Sequence, residues 1–427
     1  MKKKFKILIS VLSVTFTLIS FTVARTEEIK LPNLSGKSII VYYMASETYD
    51  VAARQTAPEF EKLTGCKVTV VADPYAILFE KQLMALATGS KTYDVLQVAY
   101  QWDGQFIPFL EPLDNYIKEY GIDMEKFIPG VLNNCGGWYG TYYGIPTACD
   151  VYSIIYRTDV FIKAALTPPG DWEEFNTVAE KLTRGNMYGS ALAGLAEQVG
   201  QFWRARYITF GGHLLNKDWI PVLDMQIGVK ASKLLKDLLS YCPKGTLSYG
   251  YPEQMQSFVS GKVAMTEVWP SFLRGSAGDP KKSRVVGKWA FFPYPGKSGE
   301  LSAWSLAIPK ASKNKNAAFV WITYFTNREH QIKFFKDIGI GPTRTFAYKD
   351  PTLAAAHPDL ADIYGGLVSP VPRFRVAQSQ EAYNFLDDRV SAFLSGQIST
   401  EEMIRKVTKK WTDLFKKNKP KVPYIGP

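Results

Sequence analysis

Residues 260–272 read SGKVAMTEVWPSF. Just ahead of them, PEQMQSFVS places Met255, Phe258 and Val259 at helical spacing, and Gly261 stands where a left-handed residue closes a helix. Val263 to Met265 then reads as a buried strand that runs out into Glu267, Trp269 and Pro270. An open α/β sheet binds small ligands in the crevice beyond its strand ends, and a carboxylate beside a flat indole suits that place. On these residues alone, a core tryptophan next to a proline-stopped strand is the competing reading.

Working outward, 38–43 (SIIVYY) is a continuous apolar run, as in a parallel strand buried on both faces. A helix over 51–63 follows, with Ala57, Phe60 and Leu63 inward and Gly65 closing it. A strand at 67–72, a helix at 78–88 ended by Gly89, and a strand at 94–99 complete an alternation that predicts a parallel α/β sheet. Right-handed crossovers bring the loops after those strands to one edge. The loops hold Glu47, then Asp73-Pro74-Tyr75, then Tyr100-Gln101-Trp102-Asp103.

Residues 136–150 (GGWYGTYYGIPTACD) read as a tight hairpin and lead through Asp150 into a strand at 151–156. Asp171 is the expected N-cap of a helix over 172–182. The segment QFWRARYITFGGHLL at 201–215 carries Trp203, and the helix expected at 229–239 has an apolar stripe of Ala231, Leu234, Leu235 and Leu238. A strand at 290–295, LSAWSLAIPK at 301–310 with Trp304, and a nearly all-apolar helix at 317–325 follow. GIGPTRTFA carries Arg344, VPRFR carries Arg373, and helices at 381–394 and 400–415 end the pattern.

The chain has 427 residues, too many for one ordinary core and suited to two domains. With 46% apolar and 21% charged residues it reads as a soluble globular protein. Aromatics make up 14%, which suits either a tyrosine-rich surface or a site that stacks rings on an apolar ligand face. Lys2, Lys3, Lys4 and Lys6 precede an apolar run at 7–21 and a cleavage signal at Thr22-Val23-Ala24, the form of a secretory signal peptide over 1–24. No cysteine stands near it to take a lipid; an uncleaved anchor is the other possibility. Removing those four lysines lowers the net charge from +11 to +7, and the remaining cations are spread out, which argues against nucleic acid as a partner. Cys66, Cys135, Cys149 and Cys242 form no CxxC pair; Cys135 and Cys149, flanking the hairpin segment, are the candidate disulfide.

SGKVAM followed by an acid and WP, the YGIP…D segment at 143–150, the GGxLL turn, the Trp304 strand and the GIGPTR turn occur in an order that resembles the family 1 extracellular solute-binding proteins. Those proteins carry sugars and polyols to bacterial ABC importers. Ser302-Ala303 stands where the family usually has a glycine pair. The resemblance implies a periplasmic-binding-protein-like fold of two α/β lobes with the ligand cleft between them. It places 30–147 with 304–328 in the first lobe and 151–300 with 331–427 in the second. Hinge crossings fall near 148–151, 301–304 and 328–331. It further implies a monomer in the periplasm or outside the cell, an ABC permease as partner, a carbohydrate or polyol ligand, and no cofactor.

A sugar needs aromatic faces for its CH surface and paired groups for its hydroxyls. Tyr75, Trp102, Trp203, Trp269 and Trp304 are the candidate aromatic contacts. Glu47, Asp103, Asp150 and Glu267 are candidate acceptors, and Arg344 and Arg373 candidate donors, which leaves an acidic sugar or phosphorylated polyol open. The chain contains no GxxxxGK[ST], HExxH or GxSxG, and its three histidines are scattered. An exported glycoside hydrolase or lyase would use similar residues, since paired carboxylates leave no obligatory trace. A membrane-tethered adhesin or receptor is a third class.

Overall fold

A computed structural model describes residues 31–427 apart from 197, 298, 422, 423, 425 and 427; the expected signal peptide lies outside the described residues. The first sheet has the order β2-β1-β3-β10-β6, built from β1 (Ser38–Met44), β2 (Lys67–Asp73), β3 (Val95–Ala99), β6 (Gly144–Val151) and β10 (Leu301–Ala307). β1 lies parallel between β2 and β3, as the alternation predicts, while β10 enters antiparallel between β3 and β6. β4 (Gly137–Trp138) and β5 (Thr141–Tyr142) form the expected small hairpin. The second sheet is antiparallel, β8-β7-β9, from β7 (Ser153–Arg157), β8 (Met265–Val268) and β9 (Trp289–Pro293).

The first helix runs Tyr49–Thr64 and closes on Gly65 at φ +75°. Its inward face is Tyr49, Ala52, Ala53, Thr56, Ala57, Phe60 and Thr64, a 3.6-residue repeat that leaves Leu63 exposed, against expectation. Asp171 caps the helix Trp172–Leu182 by accepting from the Glu174 N–H. In the helix Lys315–Phe325, every residue from Ala317 onward is buried, as its all-apolar sequence requires.

Two strands differ from expectation. The run at 151–156 is broken at Tyr152, whose N–H leaves both sheets to bond the Glu300 carbonyl at 2.9 Å. The strand expected at Val263 begins instead at Met265, because Val263 makes only a lone bridge to Tyr188. All four cysteines are buried free thiols, so Cys135 and Cys149 are not bonded.

Three segments meet where the chain passes between the sheets. Glu300 accepts from Tyr152 and pairs in parallel with Val371, and the Leu301 N–H donates to the Val371 carbonyl at 2.9 Å. Beyond the helix Arg328–Ile338, the helices Thr345–Tyr348, Pro351–Ala356 and Leu360–Val368 share an apolar cluster with Cys149, Val151, Leu301 and Ala303 of the first sheet. The helices Ser379–Leu394 and Thr400–Lys417 pack into the core around the second sheet.

Gly104, in the helix Asp103–Phe106, sets how closely this junction packs. A Cβ there would lie 2.4 Å from the backbone carbon of Val376. Gly104→Ala must therefore push the 375–376 backbone away, at a cost of about 1–3 kcal/mol. Urea unfolding should show a lower midpoint; an unchanged one would mean the approach has slack.

Candidate functional site

The three parallel strands deliver their following loops to one edge, facing the second sheet. Tyr75 opens the helix after β2, and its hydroxyl accepts from Gln101 Nε2 at 2.8 Å and Trp102 Nε1 at 3.2 Å. Its ring lies 5.0 Å from Trp102 and 6.1 Å, edge-on, from Trp304. Trp102 is buried, packed among Phe79, Phe106 and Trp304, so it backs the site and supports the half-buried Tyr75. Trp304 also meets Tyr49 at 5.7 Å.

The second sheet answers with its own aromatics. Trp269 follows β8 and stands edge-on to Tyr152, with ring centroids 4.2 Å apart. Gln201 Nε2 bridges the hydroxyls of Tyr152 (3.1 Å) and Tyr251 (2.7 Å), and Tyr251 is also hydrogen-bonded with Trp269. At the base, Glu300 accepts from Arg204 at 2.7 and 3.1 Å and from Arg373 Nε at 2.5 Å. Arg204 reaches Asp387 at 3.4 Å. The phenols of Tyr75 and Tyr251, raised chiefly by burial, both feel the charges of Arg373 and Glu300, so residues of both lobes converge on that pair.

Burial favours a neutral Glu300, but the two arginines outweigh it and hold the carboxyl below its ordinary range. Asp387, with Arg204 further off, is pushed up to about 7 by burial. Asp103 is pushed up to about 6, again by burial, which Arg375 at 2.5 Å only partly offsets. Asp150, near the end of β6, reaches across to accept the Ser271 N–H at 2.6 Å, at the start of the helix Pro270–Gly278. Burial pushes it up to about 6 against that hydrogen bond. Among the described residues no group of His, Cys, Asp or Glu could hold a metal ion.

Tyr75, Trp304, Asp150, Trp269 and Arg373 are thus brought together, with Trp102 behind and Asp103 beside them. Four predicted residues are placed elsewhere. Trp203 is core of the second lobe, bonded to Ser232 Oγ at 2.9 Å and stacked on Tyr207 at 4.7 Å. Glu267 lies inside β8 and not beyond it, so its side chain faces the lobe interior and pairs with Arg206 at 2.8 Å over the Trp172 ring. Arg344 covers the Phe127 ring. Glu47 sits on the rim at φ +58° with an exposed ion pair to Lys282, 3.4 Å away across the lobes. Sequence reasoning missed Tyr49, Tyr152, Gln201, Arg204, Tyr251, Glu300 and Asp387. Gln201 and Arg204 did stand three apart in QFWRAR, a spacing that shares one helix face.

A sequence model of the family described as bacterial extracellular solute-binding protein matches residues 45–332. Among curated proteins, a Sinorhizobium fredii sequence named a probable amino-acid ABC transporter periplasmic-binding protein is 26% identical over 378 residues, 86% of each chain. A mannitol-binding protein of Pseudomonas aeruginosa is 26% identical over 372 residues, covering 77% of this chain and 81% of that one. A crystal structure of an ABC transporter solute-binding protein from Agrobacterium radiobacter, in complex with ribitol, superposes with a TM-score of 0.81. It is 25% identical and covers 90% of this chain and 100% of its own.

The raised Asp150 carries a pH signature. A carboxyl whose folded pKa lies above its unfolded value adds stability below the unfolded pKa, and that stability is lost as pH rises through the folded value. With a shift from 3.8 to about 6, wild type should lose about 1–3 kcal/mol between pH 4 and 7 relative to Asp150→Asn, which cannot ionise. Thermal melts of both proteins across that range measure the difference; parallel curves would mean Asp150 titrates normally.

Proposed function

Because the chain belongs to the bacterial extracellular solute-binding protein family, we propose that it captures a sugar or polyol between its lobes and hands it to the permease of an ABC importer. The carrying observation is that Tyr75, with Trp304 edge-on to it, and Tyr251, hydrogen-bonded with Trp269, approach the Arg373–Glu300 pair from the two sides. Relatives that bind mannitol or ribitol support that ligand class. The relatives are solute-binding proteins, which favours a binder over a hydrolase or lyase.

The mechanism is desolvation with compensation. Hydroxyls leaving water need partners, and Arg373, Asp150, Tyr75 and Tyr251 supply donors and acceptors while Trp269 and Trp304 take the CH face. A hydrogen bond to a charged group contributes about 1.5–3 kcal/mol, and micromolar binding needs about 8 kcal/mol, so a few such bonds and one stack suffice.

The lobes are read as 31–151 with 301–370 and 152–300 with 371–427. This moves the third hinge crossing from 328–331 to near 371, because the helices up to Val368 pack against β6 and β10. A ligand touching both lobes binds the closed form better, and only that difference in affinity can shift the hinge. Residues 1–24 serve as an export signal cleaved after Ala24 without lipidation, and the mature protein is a monomer.

A thermal-shift and calorimetric screen of polyols, neutral sugars, sugar acids and amino acids tests the ligand class. Stabilisation by polyols or sugars is expected; a response to amino acids alone would overturn it. With the best ligand, Trp269→Ala and Trp304→Ala should each weaken binding by about 1–3 kcal/mol. If the rings only fill core, melting temperature drops and affinity does not. Small-angle scattering should give a monomer mass and a smaller radius of gyration with ligand; an unchanged radius at saturation would remove the closure mechanism.

A further inference from the structure

The last helix, Thr400–Lys417, and the few residues after it carry an unusual charge. From Arg405 to Lys421 the sequence holds eight lysines and arginines against one acid, Asp413. Elsewhere in the mature chain the cations are spread out, and this stretch is the exception.

The helix is amphipathic, with Met403, Ile404, Val407, Trp411, Leu414 and Phe415 buried. At 3.6 residues per turn, Arg405, Lys409 and Lys416 fall within about 40° of one another on the opposite side. All three are exposed, as are Lys417, Lys419 and Lys421 beyond them. Lys406 pairs with Glu402 and Lys410 with Glu381, whereas Arg405, Lys409, Lys416 and Lys417 form no ion pair among the described residues. Lys416 and Lys417 suit the negative end of the helix dipole. Arg405 and Lys409, one turn apart in mid-helix, repel each other. A merely solvated helix face gains nothing from that second pair.

The shape of the patch limits what it can hold. The apolar side of the helix is committed to the second lobe: Trp411 Nε1 donates to the Ala382 carbonyl at 3.0 Å, and Gln378 Nε2 donates to the Asn418 carbonyl at 2.8 Å. The helix therefore cannot turn its apolar face outward and can meet a partner only through its cations. Arg405 to Lys417 spans about 18 Å. A convex face of that length encloses no single small anion, whereas a bilayer surface presents many phosphates in one plane.

We propose that the 405–421 face holds the exported protein against an anionic phospholipid surface, by charge and without insertion. Clusters of about four to eight basic residues on an amphipathic helix are a recognised match for anionic lipid. The choice of a membrane over another polyanion rests on the importer reading, in which the permease lies in a membrane and no cysteine near residues 1–24 takes a lipid anchor. Adsorption of this kind keeps a protein without an anchor close to its transporter.

The test sediments the mature full-length chain, with no sugar added, on vesicles of phosphatidylcholine with an equal part of phosphatidylglycerol, and on phosphatidylcholine alone. Binding to the anionic vesicles is expected at about 50 mM salt and its loss at about 300 mM, with none to the neutral ones. The triple variant Lys409→Gln, Lys416→Gln, Lys417→Gln should partition about tenfold less, with an unchanged melting temperature. Lys62→Gln, Lys91→Gln, Lys118→Gln removes the same charge from exposed positions of the first lobe and should bind as wild type does. No binding to anionic vesicles at low salt would overturn the proposal, as would equal binding to neutral ones or an equal loss in the first-lobe variant. Binding to a DNA duplex as tight as to the anionic vesicles would overturn the assignment to lipid. Vesicle binding that persists while every sugar and polyol fails would count against the cleft reading and support this one.

Discussion

Everything about this molecule's geometry passes through the buried carboxylate of Glu300. Its backbone carbonyl receives Tyr152 and its neighbour Leu301 donates to Val371, so the three passages between sheets are stitched at one residue. Its side chain is shared by Arg204, rooted in the second lobe, and Arg373, carried on the third passage. A buried carboxylate is expensive unless paired and fully hydrogen-bonded, and deleting one partner from such a network typically costs about 3–5 kcal/mol. Two arginines at close range keep Glu300 ionised, whereas Asp387, with Arg204 3.4 Å away, has its carboxyl raised by burial. The fork geometry of arginine suits this sharing, and lysine would not replace it.

The lobes themselves need no such help. Each has a large apolar core of its own, one around β1, β3 and the helix Lys315–Phe325, the other around the helices Gly200–Thr209 and Met225–Leu238. Between them run the Asp150–Ser271 hydrogen bond, the Arg373 N–H bond to the Tyr100 hydroxyl, the buried ion pairs Arg375–Asp103 and Arg274–Asp359, and Glu47–Lys282 on the rim. Exposed ion pairs contribute little, about 0–1 kcal/mol. A ligand can shift a hinge between such lobes only as far as its differential affinity for the two forms exceeds the cost of moving between them.

The aromatic content is divided between these tasks. Trp172, Trp203, Trp321 and Trp411 are wholly buried and fill core. Tyr75, Trp269 and Trp304 stand at the convergence of the lobes, held by rings behind them. Trp138 and Tyr139 stand edge-on to each other in the β4–β5 hairpin. A single composition figure conceals these different settings, and only burial and neighbours tell them apart.

By itself the sequence determined the alternating first lobe, the Gly65 and Asp171 helix ends, the buried helix at 317–325 and the family, because these depend on local periodicity, capping and motif order. Among the candidate site residues, Tyr75 was legible because loops after parallel strands share an edge, whereas Asp150, Trp269, Trp304 and Arg373 were named from residue type and motif order alone. Sequence reading misread Glu267 because a two-residue difference in where β8 begins decides whether a side chain ends a strand or faces a core, and Arg206, which neutralises it, lies sixty-one residues away. Trp203 was misplaced for a related reason: an indole on a helix reads the same whether it faces ligand or Ser232. Glu300, Arg204 and Asp387 were invisible because their meaning is their meeting. Charges at 204, 300, 373 and 387 acquire a role only when the tertiary fold brings them within hydrogen-bonding distance out of water.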